Sequence, residues 1–167
     1  SPEAIDEQKD KCIQCPLGEY PSTSGVCEMC VAGKYSDTAL SNSDGCKSCL
    51  KGTYSVAGSS ACNPCPHGMY CDEADMPMGK KCEEGTYQDE EGQQECKDCP
   101  TGRYNDQEGQ VVCRGCDAGK YNPDTRSTSK THDCRLCEVG KFSDVPASSE
   151  CSKCGIGFYA SDAGSKT

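Results

Sequence analysis

The residues of this chain whose types and spacing point first to chemistry are its 18 cysteines, and its only histidines are His67 and His132. Sixteen of the cysteines stand in C-x2-C pairs, from Cys12/Cys15 to Cys151/Cys154. Three chemistries use that spacing. Two such pairs, for example Cys12/Cys15 with Cys27/Cys30, could give four thiolates to a tetrahedral Zn²⁺. One exposed pair of lowered pKa on a βαβ unit could exchange disulfides. Pairs repeated along a secreted chain are instead the marks of a cross-linked framework. Eight copies, an acidic chain and an odd cysteine at Cys71 favour the framework over zinc or redox catalysis.

Other candidates are weaker. His67 and His132 have no nucleophile in register with them, so no hydrolytic constellation is expected. Asp89, Glu90, Glu91, Glu95 and Asp98 form an acidic cluster that matches no EF-hand spacing and reads as a solvated face. No Asn-x-Ser/Thr sequon occurs, since Asn63 and Asn122 precede proline and Asn42 is followed by Ser43-Asp44. O-linked sugars could be carried on the spacer 127–131. No catalytic residue, metal ligand or cofactor is expected, and no enzyme.

The elements that position the cysteines belong to one repeated phrase, C-x2-C-x2-G-x-Tyr/Phe. Its second cysteine is Cys15, Cys30, Cys49, Cys65, Cys82, Cys99, Cys116, Cys137 or Cys154. A glycine follows three residues later, at Gly18, Gly33, Gly52, Gly68, Gly85, Gly102, Gly119, Gly140 and Gly157. An aromatic follows two further on, at Tyr20, Tyr35, Tyr54, Tyr70, Tyr87, Tyr104, Tyr121, Phe142 and Tyr159. All 8 tyrosines occupy that slot, so the chain is a tandem array before it is anything else. The glycine suits positive φ or close approach, and the ring can lie across a disulfide. Polar spacers between phrases fit short strands joined by turns, not helices.

Composition agrees. Leu, Ile, Val and Phe number only 16 of 167 residues and the net charge is -10, too little apolar surface to order a chain without covalent help. Bridged loops of this size each contribute roughly 3 kcal/mol. The acidity sets the chain against nucleic acid and anionic headgroups, and no apolar run reaches the ~20 residues of a membrane span. An extracellular or cell-surface setting follows from the cysteines.

The phrase as it stands in Cys62-Asn63-Pro64-Cys65-Pro66-His67-Gly68-Met69-Tyr70 and in Cys96 to Tyr104 resembles the cysteine-rich repeats of tumour-necrosis-factor receptors. It is still more similar to ephrin-receptor-like repeats. The resemblance covers Cys12 to Tyr159 and implies elongated ladders of small disulfide-held β-turn modules without activity of their own. The expected fold is therefore a small disulfide-rich one, mostly β-turn and short β-strand, in an elongated tandem-repeat rod with little or no helix.

Spacer lengths leave two disulfide schemes open. Grouping phrases in twos gives Cys12-Cys27, Cys15-Cys30, Cys46-Cys62, Cys49-Cys65, Cys96-Cys113, Cys99-Cys116, Cys134-Cys151 and Cys137-Cys154, with Cys71-Cys82 closing the variant copy. Joining each second cysteine to the first of the next phrase gives Cys15 to Cys27 and Cys99 to Cys113. That scheme closes Cys65 on Cys71 and leaves Cys12 and Cys154 to pair elsewhere. The first scheme divides the chain into a linker at 1–11, repeats at 12–45 and 46–70, a variant repeat at 71–95, and repeats at 96–133 and 134–167, the array continuing past 167. Met76, Pro77 and Met78 in the variant loop are candidate partner contacts, although two methionines flanking a proline more often fill space over a neighbouring disulfide. The function expected is that of a structural spacer or assembly segment of a larger surface or filament protein, its partners being proteins, chiefly copies of itself. The alternative is a ligand-binding receptor ectodomain.

Overall fold

The computed structural model describes residues 14–39 and 45–167. Among them there is no helix. Short strands fold back on one another as antiparallel hairpins, because each phrase ends in a strand and the next phrase begins with one.

Contacts divide the chain into two compact units. The first takes the described residues up to Asn63 together with 73–78. It holds strands β1 (Glu19–Pro21), β2 (Cys27–Met29), β3 (Lys34–Tyr35), β4 (Lys47–Ser48) and β5 (Thr53–Tyr54). The pairs are β1 with β2 and β3 with β4, so that Tyr20 faces Glu28 and Tyr35 faces Lys47. Strand β6 (Asn63–Pro64) carries the chain into the second unit, residues 64–72 and 79–167.

There the order continues as β7 (Met69–Tyr70), β8 (Lys80–Lys81), β9 (Thr86–Tyr87), β10 (Lys97–Asp98), β11 (Arg103–Tyr104) and β12 (Arg114–Gly115). It ends with β13 (Lys120–Tyr121), β14 (Arg135–Leu136), β15 (Lys141–Phe142) and β16 (Ser152–Lys153). They pair in successive twos, β7 with β8 through β15 with β16, setting the aromatic of one phrase opposite the residue that follows the first cysteine position of the next: Tyr70 with Lys80, Tyr87 with Lys97, Tyr104 with Arg114, Tyr121 with Arg135.

Two-residue strands are too short to hold by themselves, and a second set of backbone hydrogen bonds ties each phrase to the next. In the second unit Gly102 N–H donates to the Asn122 carbonyl at 2.7 Å, and Cys116 N–H donates to the Gly102 carbonyl at 2.9 Å. The Ala147 N–H reaches the Cys116 carbonyl at 2.8 Å, and Asn122 N–H the Ser148 carbonyl at 3.0 Å. The same bonds recur in the first unit, as Gly18 to Ser36, Cys30 to Gly18, Gly58 to Cys30 and Ser36 to Ser59. Buried backbone groups are thus satisfied with very little regular sheet.

The phrase glycine is required for two reasons together. Gly102 has φ of 78°, and a Cβ there would lie 1.9 Å from the carbonyl oxygen of Ala147, two phrases on. Gly18 stands in the same relation to Gly58, at 2.1 Å. The apposed residue is itself left-handed: Gly58, Gly92, Gly109 and Gly164 hold this spacer position in some repeats, Asp75, Arg126 and Ala147 in others, all with φ between 54° and 83°.

The core is mostly sulfur. Cys15, Cys30, Cys49, Cys65, Cys82, Cys99, Cys116 and Cys137 are at most 1% exposed, and Tyr104 packs with Cys116 and Cys134 in one buried cluster. The ring therefore lies against the disulfide of the following phrase, the apolar contact expected of the aromatic slot.

Candidate functional site: the disulfide ladder and its altered rung

Eight disulfides join the described cysteines: Cys15–Cys27, Cys30–Cys46, Cys49–Cys62, Cys65–Cys71, Cys82–Cys96, Cys99–Cys113, Cys116–Cys134 and Cys137–Cys151. Cys154 is a partly exposed free thiol. This is the second of the two schemes, and it overturns the first. Cys15-Cys30, Cys46-Cys62, Cys49-Cys65, Cys71-Cys82, Cys96-Cys113, Cys99-Cys116, Cys134-Cys151 and Cys137-Cys154 are not bonded to each other. Cys12-Cys27 fails because Cys27 bonds Cys15; Cys12 itself lies outside the described residues, as do the linker 1–11 and Asn42.

The physical reason lies in the hairpin. Each turn between aromatic and next phrase folds back, bringing the first cysteine of that phrase beside the second cysteine of the phrase before it, with Cα atoms 5.5 to 5.8 Å apart in the seven regular bridges, within bridging range. The two cysteines of one C-x2-C motif consequently serve different partners. Motifs arranged so are linked to their neighbours by sulfur and do not present four thiolates to a zinc ion.

The altered copy is explained by two substitutions that compensate. Position 79, where a regular phrase would carry its first cysteine, is Gly79, and a Cβ placed there would be 2.6 Å from the Cys65 sulfur. Cys71 immediately follows Tyr70, in the slot where other phrases bury a polar side chain. Cys65 takes Cys71 as its partner across a separation of only 6 residues.

That slot after the aromatic escaped the sequence reading. Ser36, Ser55, Gln88, Asn105, Asn122 and Ser143 occupy it, none more than 4% exposed. The longer side chains staple the spacer. Gln88 Nε2 donates to the Glu95 carbonyl at 2.7 Å while its Oε1 accepts from Glu90 N–H at 3.1 Å. Asn122 Nδ2 donates to the Arg103 carbonyl and to Ser127 Oγ, and its Oδ1 accepts from Asp124 N–H. These are Asx-type turns with a second bond into the neighbouring strand. The signal was an Asn, Gln or Ser after six of the nine aromatics.

Charges line the hairpins in pairs. Lys47 meets Asp37 at 2.6 Å, Lys80 meets Asp72 at 2.8 Å, Lys97 meets Asp89 at 2.8 Å and Glu90 at 3.1 Å, and Arg135 meets Asp124 at 2.7 Å. Hydrogen bonds from their lysines hold Asp37 and Asp89 below the usual carboxylate range, and raise Lys47 and Lys97 in turn. Lys47 also lies 5.9 Å from the centre of the Tyr35 ring. Tyr20 is the exception: its hydroxyl donates to Glu28, and that bond raises its pKa.

The acidic cluster is therefore dispersed: Asp89 and Glu90 turn to Lys97, and Glu91 to His67 at 3.7 Å. His132 Nδ1 sits among Ser129 and Thr131 hydroxyls, each at 3.2 Å. In the variant loop Met76 is buried and its carbonyl accepts from Ser55 N–H. Its side chain is enclosed by its own chain, whereas Pro77 and Met78 are exposed.

Among the described residues no helix is long and apolar enough to cross a membrane. Eight disulfides in tandem mark a module of oxidising, extracellular surroundings. No curated protein matches the chain. Residues 79–111, which run from Gly79 through the Cys82–Cys96 bridge and past Tyr104, match the family model described as tyrosine-protein kinase ephrin type A/B receptor-like, a cysteine-rich module.

Proposed function

We propose that this chain is a non-catalytic, disulfide-stapled spacer and assembly segment of a larger extracellular surface or filament protein. The observation that carries the reading is the economy of the repeat. Fourteen cysteines bridge one phrase to the next and two more close the altered rung, while the largest fully buried polar side chains, Gln88, Asn105 and Asn122, staple turns and neighbouring backbone. A repeat built this way gains length by adding phrases without thickening its core. Its partners are proteins, copies of itself or neighbouring segments of one assembly, meeting along exposed hairpins and loops.

The reading is tested by electron microscopy and small-angle scattering of the oxidised native protein at its working concentration. Extended particles that associate into regular assemblies are expected. Compact, isolated monomers at every concentration would overturn the assembly role.

A further inference from the structure

The second unit contains the same shallow niche three times over. Each is bounded by the aromatic of one phrase, the residue following the second cysteine of the next, and the residue before the first cysteine of the phrase after that. At Tyr70 these walls are Glu83 and Glu95. At Tyr121 they are Glu138 and Glu150. At Tyr87 both acids are replaced, by Pro100 and Val112, and Val111 adds to the same wall.

The niche at Tyr87 has a volume of about 400 Å³ and is lined by Arg103 as well. Three of the four arginines reach a carboxylate: Arg114 on Asp106, Arg126 on Glu83, Arg135 on Asp124. Arg103 does not. Its Nη1 donates to the Cys113 carbonyl at 3.0 Å, which tethers the guanidinium, and its remaining donors have no partner among the described residues. Asp89, also at the niche, is taken by Lys97. Val111 and Val112 are 45% and 58% exposed. An unmatched, half-buried cation beside exposed apolar side chains, in a chain of net charge -10, is complementary to one kind of group. That group is an apolar side chain next to a carboxylate, which a held guanidinium can bind through two parallel hydrogen bonds.

We infer that the niche formed by Tyr87, Pro100, Arg103, Val111 and Val112 is a docking site for an extended segment of a partner protein that presents a Phe- or Leu-sized side chain beside a carboxylate. The inference is independent of the assembly role: it assigns a ligand to the one niche with an apolar wall, whereas in the sister niches glutamates stand in place of that wall and pair with cations, Glu83 with Arg126 and Glu138 with Lys141.

The test titrates the isotopically labelled, oxidised 167-residue protein with N-acetyl-L-phenylalanine and follows backbone amide shifts by NMR. Saturable shifts are expected at Arg103, Val111 and Val112 and not at the equivalent residues near Tyr70 and Tyr121. N-acetyl-L-phenylalaninamide, which lacks the carboxylate, should bind at least tenfold more weakly. Arg103→Gln should weaken binding of the acid to the level of the amide. Should that variant fold poorly, Pro100→Glu with Val112→Glu restores the acids found in the sister niches and should abolish binding with the hairpin shifts intact. Absence of saturation, equal shifts at all three niches, equal binding of acid and amide, or unchanged binding in the double glutamate variant would each overturn the proposal.

Discussion

The rung at Cys99–Cys113 and the rung at Cys65–Cys71 do the same job by different means. In the first, sulfur joins two successive phrases around the whole spacer, a separation of 14 residues. In the second the bridge closes inside one phrase, over 6 residues, and the spacer that follows is not enclosed by sulfur. Yet the hairpin register is the same in both, Tyr70 facing Lys80 as Tyr104 faces Arg114, and the backbone bonds recur, Cys82 N–H on the Gly68 carbonyl as Cys116 N–H on Gly102. The backbone ladder therefore sets the register. The disulfide restricts the unfolded chain and fills the core, and it tolerates being moved.

The largest expected effect bears on that contrast. Removing Cys99 and Cys113 together, as serines, should cost about 3 kcal/mol, and removing Cys65 and Cys71 about 2.4 kcal/mol, as the loop-entropy relation gives for their lengths. Denaturant unfolding with protease susceptibility as a second probe measures both. Equal losses, or a larger one at Cys65/Cys71, would mean that the altered rung does more than close a loop.

Next come the glycines. Gly102→Ala drives a Cβ onto the Ala147 carbonyl as well as into a left-handed backbone, and more than about 2 kcal/mol of destabilisation is expected. Gly140 has φ of 81° but nothing within 4 Å of its Cβ position, so Gly140→Ala should lose only the conformational cost, about 1 kcal/mol. Thermal unfolding of the two variants side by side separates close approach from φ. In the opposite sense, Ala147→Gly relieves a φ of 60° and should stabilise by about 1 kcal/mol or slightly less, after the entropy of the added glycine.

A smaller effect sharpens the comparison directly. Combining Cys71→Ser with Gly79→Cys converts the altered rung to the regular pattern. Peptide mapping without reduction should find residue 79 bridged to Cys65, with stability raised by about 0.6 kcal/mol for the longer loop. A free thiol at 79 would show that the phrase cannot return to the regular geometry.

The smallest effect is electrostatic. Because the pKa values of Asp37 and Asp89 are depressed by their lysines, the contribution of these pairs is present above the ordinary aspartate value and is lost as pH falls through the folded-state value. The raised pKa values of Lys47 and Lys97 give the converse, a contribution whole below the ordinary lysine value and lost as pH rises through the folded one. Both pairs are exposed and should fade with salt. A carboxylate titration by NMR should show Asp37 moving up toward its ordinary value in Lys47→Gln.

How much of this was legible depended on which interactions leave a local trace. The phrase glycine and the aromatic could be read because each serves its own position: Gly102 its φ and its close contact, Tyr104 its packing on sulfur. The left-handed spacer position is marked by glycine at Gly92, Gly109 and Gly164, and is hidden where Arg126 or Ala147 holds it, since those residues give no turn signal; Asp75 gives only a general one. Spacer length could not choose between the two disulfide schemes, because the hairpin folds every spacer back regardless of its length. The polar slot after the aromatic was missed because Gln88, Asn105 and Asn122 look like surface residues, and only the fold shows that their amides are enclosed. The distinctive niche at Tyr87 needed three copies side by side before Pro100 and Val112 stood out against glutamates.

One consequence of the phrase-to-phrase bridge concerns how such a gene can grow. Had the cysteines been shared within fixed couples, duplication or loss would have had to proceed two phrases at a time to leave no thiol stranded. With each link reaching only to its immediate successor, a single phrase can be inserted or deleted and the sulfurs on either side still find mates, so odd and even lengths are equally open to selection.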